Sequence, residues 1–140
     1  MISILEILTE HALVIDFGMF LVIWMVQIII YPSLSIIEDS GFSDWHRRYC
    51  SKIGFFVLPL MTAQFLESSS AVFFVGSILD WCKFATLILA LFVTFAISAP
   101  CHRKLTKGGR NHAVLDRLSV TNWIRTVLWS LAFVLSFIKY

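Results

Sequence analysis

Four long runs of apolar residues constrain this chain more than any other feature: Ala12 to Tyr31, Ile53 to Val75, Phe84 to Ala99 with an extension back through Trp81, and Ser119 to Ile138. A bilayer core about 30 Å thick is crossed by about 20 helical residues, each advancing about 1.5 Å, and the chain supplies such a run four times. A helix satisfies every backbone N–H and C=O within its own segment, as hydrocarbon demands. The runs lack the alternation of a strand with one lipid face and one lumen face, which argues against a β-barrel. The expectation is an all-α fold, an integral membrane four-helix bundle, forming a single domain over residues 1–140 with helices near 12–31, 53–75, 81–100 and 119–138. Composition agrees: 59% of the residues are hydrophobic and only 14% are charged, and those charges fall almost entirely between the runs.

The placement of the charges sets an orientation. Arg47, Arg48 and Lys52 precede the second run, and Arg103, Lys104, Lys107, Arg110 and Arg117 fill the connection between the third and fourth. The opposite side carries Lys83 and Lys139 with Glu6, Glu10 and Asp80. By the positive-inside rule the basic connections are cytoplasmic and both termini face outward. The first run lacks a positive leader and a small-residue cleavage site, so it is expected to stay as a helix rather than leave as a signal peptide. Three cysteines imply no disulfide: Cys50 and Cys101 belong to the cytoplasmic side, and Cys82 stands alone on the other.

Turn formers suggest boundaries. Pro32 is expected to stop the first helix, Ser43 or Asp44 to cap a second helix starting near Trp45, Lys107-Gly108-Gly109 to break the third, and Asn111 to cap the fourth. Trp45 and Trp81 read as interfacial anchors, and the thirteen phenylalanines as lipid-facing and interhelical packing.

Polar residues inside apolar helices are functional candidates because hydrocarbon penalises them. Asp16, Gln27, Gln64, Glu67, Asn122 and Arg125 form this set, with Thr94 and Ser98 nearby in depth. Asp16 and Gln27 are eleven residues apart and share a helix face. His46, Cys50, Ile53, Val57, Leu60, Gln64 and Glu67 form one stripe at three-and-four spacing, which should face the bundle interior. Asp16 and Glu67 share a depth. If their faces meet, one is expected to hold its proton, or both to stay neutral on hydroxyl and backbone partners. Arg125 must snorkel, find an acceptor or bind an anion, with Gln64 and the carbonyls near Pro59 as acceptors within its depth. His46 with Cys50, Cys101-His102, and His112 with Asp116 all emerge on the cytoplasmic side. His46, His102 and His112 are therefore candidate ligands for a metal or haem, set against interfacial side chains that bind nothing. His11 reads as solvated.

The pattern Val26-Gln27 with Tyr31-Pro32, Trp45-His46-Arg47-Arg48, Pro59-Leu60-Met61, Pro100-Cys101-His102 and Leu118 to Thr126 resembles a family of small, uncharacterised four-helix bacterial membrane proteins. More distantly it is similar to the anthrone-oxygenase-like membrane domain. The resemblance implies a bacterial inner membrane and a shared polar site of His46, His102, Asn122 and Arg125, with Gln27. Tyr49 and Gln64 stand where that pattern has a His and a Glu, which removes two metal ligands; Glu67 lies one turn outward of the missing carboxylate.

Two functional readings follow. The first is a non-catalytic subunit or small-ligand- or lipid-binding component of a larger membrane assembly, its partners being lipids and other membrane subunits. The second is a metal- or haem-dependent oxidoreductase acting on a lipophilic substrate at the cytoplasmic face. A carrier or proton pathway through Asp16, Glu67 and Arg125 is a third, weakened by four short helices with no broken segment. No nucleic-acid partner is expected, since the basic residues follow topology.

Overall fold

The computed structural model describes residues 4–140, and every element among them is helical. A short helix α1 (Ile4–Glu10) precedes four long ones: α2 (Ala12–Leu34), α3 (Phe42–Phe74), α4 (Ile78–Gly108) and α5 (His112–Lys139). All four are long and apolar enough to cross a membrane. Around the bundle α2 packs its backbone beside α3 and α5, and α4 beside α3 and α5, while the diagonal pairs meet only through long side chains. The short helix α1, the end of α5 and the Gly76 turn lie at one end, here the terminal end. The other two connections form the loop end.

The helices outrun the apolar stretches. The α3 helix begins at Phe42, eleven residues before its apolar run, because charged residues are as compatible with helix as apolar ones. Its N-cap is Gly41, with no side-chain cap, so neither Ser43 nor Asp44 has the expected role. Asn111 does cap α5, its Oδ1 accepting from the Val114 N–H at 3.1 Å. At the other end Ser77 and Asp80 make a reciprocal capping box that starts α4. Gly76 and Gly109 take positive φ, +68° and +79°, which glycine adopts without Cβ strain.

Pro32 does not stop α2. One π-helical turn, Val26–Ile30, widens the helix just before it, with the Tyr31 N–H reaching back to the Val26 carbonyl. The same device recurs on α4, where Thr94–Ser98 is π-helical, the Ala99 N–H reaches Thr94, and Pro100 follows. In each case the wide turn ends two residues before a proline. A pyrrolidine ring would clash with the carbonyl four residues back in a regular helix, and the wide turn lets the helix run on. These two turns also present Gln27, Thr94 and Ser98 to the interior.

Many polar side chains are buried, and the outside is largely apolar. Asp16, His46, Gln64, Glu67 and Asn122 are at most 2% exposed, while Phe55, Phe73, Phe92 and Phe137 are 66–82% exposed. Trp45 and Trp81 are exposed, as expected of anchors, whereas Trp129 is buried. The core is layered. Met19, Ile23, Leu87, Ala90, Trp129 and Ala132 pack mid-bundle, and Leu34, Phe42, Leu105 and Leu118 close the loop end. Ala90 and Ala132 are the small residues of the mid-bundle layer.

Candidate functional site

Three polar groups occupy the interior, and each joins residues from different helices. Nearest the terminal end, Asp16 and Glu67 do meet, but through a cation: Lys83 Nζ lies 2.6 Å from Asp16 Oδ2 and 2.6 Å from Glu67 Oε2. Lys83 is 3% exposed. Its position before the third apolar run made it look like a surface charge, but α4 starts at Ile78 and turns this side chain inward. The two carboxyls therefore face a shared ammonium rather than each other alone. Gln64 Nε2 donates to Asp16 Oδ1 at 2.7 Å, and Ser136 donates to Asp16 Oδ2. The Tyr140 hydroxyl donates to Glu67 Oε1 at 3.2 Å, and Trp129 Nε1 donates to Gln64 Oε1 at 3.1 Å. Lys139 pairs with Asp80 at 2.7 Å beside this group.

Mid-bundle, Arg125 is 6% exposed. Its acceptors are neither Gln64 nor the carbonyls near Pro59. Nε donates to Thr94 Oγ1 at 3.0 Å, and Nη1 donates to Asn122 Oδ1 at 2.9 Å and Ser98 Oγ at 3.4 Å. The Asn122 amide donates in turn to Gln27 Oε1 at 2.8 Å, and Gln27 Nε2 to the Ser119 carbonyl at 3.4 Å. This chain of amides orients the Asn122 oxygen toward the guanidinium. Trp129 lies under it, 5.1 Å from ring centroid to Cζ. Every one of these partners is neutral; no ion pair among the described residues includes Arg125.

Toward the loop end, His46 and His102 stand side by side. His46 Nε2 is 3.1 Å from His102 Nδ1, and Cys50 Sγ is 3.7 Å from each of these nitrogens. The outer ring nitrogens are held too, His46 Nδ1 by Thr106 Oγ1 at 2.9 Å and His102 Nε2 by the Tyr31 hydroxyl at 3.1 Å. Phe42 stacks on His46 with an interplanar angle of 12°. The sequence placed His46 and Cys50 one turn apart, but nothing in it announced Thr106 or Tyr31 as their neighbours. His112 does not join the group: it is exposed at the first position of α5, as is Asp116 one turn on. His11 is exposed as well. The two imidazoles face each other too closely to sit on opposite faces of one haem.

A cavity of about 270 Å³ connects the last two groups. Arg125, Thr94 and Ser98 form part of its wall, Tyr31, Cys50 and His102 another part, and Val26, Ile53, Val57, Leu58, Met61 and Phe95 most of the rest. It lies where α3 and α4 part. These helices touch on either side of Thr94–Ser98 but not along it, so the wide turn opens a gap in the seam. Gly54 stands at that gap, and a Cβ there would meet only Leu58 Cδ1 at 4.0 Å. No protein-family profile, curated protein or solved structure matches this chain.

Proposed function

We propose that this chain is an integral membrane protein that binds a lipid-soluble anion, a single-chain amphipath with a carboxylate head, entering sideways between α3 and α4. The loop end, with Arg47, Arg48, Arg103, Lys104 and Lys107, faces the cytoplasm across a bacterial inner membrane, and both termini face outward. The exposed phenylalanines lie against lipid or a neighbouring subunit. Of the two roles weighed first for the chain, this is the ligand-binding one: the cavity holds a cargo or effector and the assembly around it acts.

One observation carries the reading. Arg125 is a permanently charged side chain, buried, with neutral acceptors only, in the wall of an otherwise largely apolar cavity. A guanidinium presents donors in a fork that fits a carboxylate, and in a low-dielectric setting the missing counter-charge is worth more than in water. The cavity is at the small end for a ligand site, so it accommodates a head and the first part of one chain, the remainder lying in the gap beside Gly54 and Leu58.

The test is saturable binding of a labelled long-chain fatty acid to the protein in lipid nanodiscs. A charge-assisted bond of about 1.5–3 kcal/mol corresponds to a loss of about ten- to a hundredfold in affinity when Arg125 becomes Gln. The methyl ester of the same acid is expected to bind as weakly to the wild type as the acid binds to Arg125→Gln. Equal binding of acid and ester to the wild type would reject the carboxylate reading.

A further inference from the structure

We propose that His46, Cys50 and His102 form a binding site for a borderline divalent transition metal, zinc or its spectroscopic substitute cobalt, with three protein ligands and a fourth position facing the Arg125 cavity. Bonds of about 2.05 Å to imidazole nitrogen and about 2.3 Å to thiolate sulfur, at tetrahedral angles, separate the two nitrogens by about 3.3 Å and each nitrogen from sulfur by about 3.6 Å. The observed triangle has edges of 3.1, 3.7 and 3.7 Å. The three donors thus already form one face of a tetrahedron before any ion is considered.

The surroundings fit the same purpose. The ring nitrogens turned away from the triangle are the ones that meet Thr106 and Tyr31, an arrangement in which each outer N–H is held by an oxygen and each inner lone pair faces the ion. With no ion, the same contacts run as a relay: Thr106 donates to His46, His46 to His102, and His102 to Tyr31. One pair of hydroxyls therefore serves both states. The donor set, two imidazoles and a thiol without a carboxylate, selects zinc, cobalt or another thiophilic ion over magnesium or calcium. On binding, Cys50 gives up its proton to solvent and coordinates as thiolate.

The fourth position is not filled by protein among the described residues. Cys50 and His102 line the cavity that Arg125 also lines, so two of the three ligands border it. Water, or an oxygen of the molecule that Arg125 holds, completes the coordination. This last clause rests on the ligand reading above; metal binding by the three side chains does not.

The experiment uses full-length protein in detergent, stripped with a chelator and titrated with Co²⁺. Expected are one equivalent bound, visible bands of the intensity that tetrahedral cobalt gives, a near-ultraviolet thiolate-to-metal band, and displacement of both by Zn²⁺. Cys50→Ser should lose the near-ultraviolet band while keeping the visible ones, and His46→Ala with His102→Ala should lose both. Thr106→Val, which touches no metal, should weaken binding about 10–100-fold. Arg125→Gln should keep the metal while losing the fatty acid, which separates failure of one proposal from failure of the other. Wild-type protein that binds no more Co²⁺ than the double histidine variant overturns the site. A near-ultraviolet band that survives Cys50→Ser, a conservative change that leaves the fold intact, overturns the thiolate ligand.

Discussion

The two buried cations, Lys83 and Arg125, lie on neighbouring helices, yet their settings are opposite. Lys83 is locked between two carboxylates, and the remaining oxygens of those carboxylates accept from Gln64 and Tyr140. Arg125 has hydroxyl and amide acceptors and an adjoining cavity. A cluster of this kind ties α2, α3, α4 and α5 together where their ends meet. Polar side chains in an apolar bundle are thus not all equivalent: a cation gripped by carboxylates reads as structure, and a cation with neutral acceptors beside a cavity reads as a receptor for something else.

The widest separation between the two settings comes from deleting each cation. Lys83→Met leaves Asp16 and Glu67 buried and facing each other with no counter-charge, and the expected loss is about 3–5 kcal/mol. Arg125→Met leaves only neutral acceptors behind, and the expected loss is about 1–2 kcal/mol. Unfolding in mixed micelles, titrated with a denaturing detergent, measures both. If the two variants lose equal stability, Arg125 is a staple like Lys83 and the contrast fails. The binding assay reverses the order: Lys83→Met, where it stays folded, retains the fatty acid and Arg125→Met does not.

A smaller effect sharpens the claim that the second setting is open to lipid. Gly54 faces the seam where α3 and α4 part, and its missing side chain leaves room there. Gly54→Phe should fill that gap and slow capture of the fatty acid about tenfold, with the metal site and the stability left nearly as they were. Stopped-flow quenching of a labelled acid reads the rate. An unchanged rate would mean that the ligand enters elsewhere, from the loop end.

Much of the first setting and part of the second are legible in the residue order. The stripe from His46 through Gln64 to Glu67 on α3 does turn inward, since three-and-four spacing is a property of the helix alone. Asp16 and Glu67 share a depth by simple rise and do lie together. Lys83 is not legible in this way, because its role depends on α4 beginning at Ile78, and the Ser77–Asp80 box that begins it follows a short motif easily lost beside an apolar run. The partners of Arg125 depend on the wide turn at Thr94–Ser98, which rotates Thr94 and Ser98 relative to a regular helix. Its one sequence signal is Pro100, matched by Pro32 after the equivalent turn in α2. Thr106 and Tyr31 come from different helices, so no local pattern could join them to His46 and His102.

The smallest expected effect compares the two ends through their helix caps. Asn111 Oδ1 accepts from one backbone N–H and has no further partner in the charged clusters, so Asn111→Ala should lose about 1 kcal/mol, the usual value of a cap. Ser77 accepts from the Asp80 N–H at 3.3 Å and also donates to Asp80 Oδ2 at 2.7 Å, while Asp80 Oδ1 holds Lys139. Ser77→Ala therefore removes a cap and one of the donors that keep a buried carboxylate aligned on its lysine. It should lose more than Asn111→Ala, about 2 kcal/mol, and Ser77→Thr should restore most of it. The same detergent titration resolves the difference. Equal losses would show that the Asp80–Lys139 pair stands without Ser77, and that the tightness of the terminal end is confined to the Lys83 cluster itself.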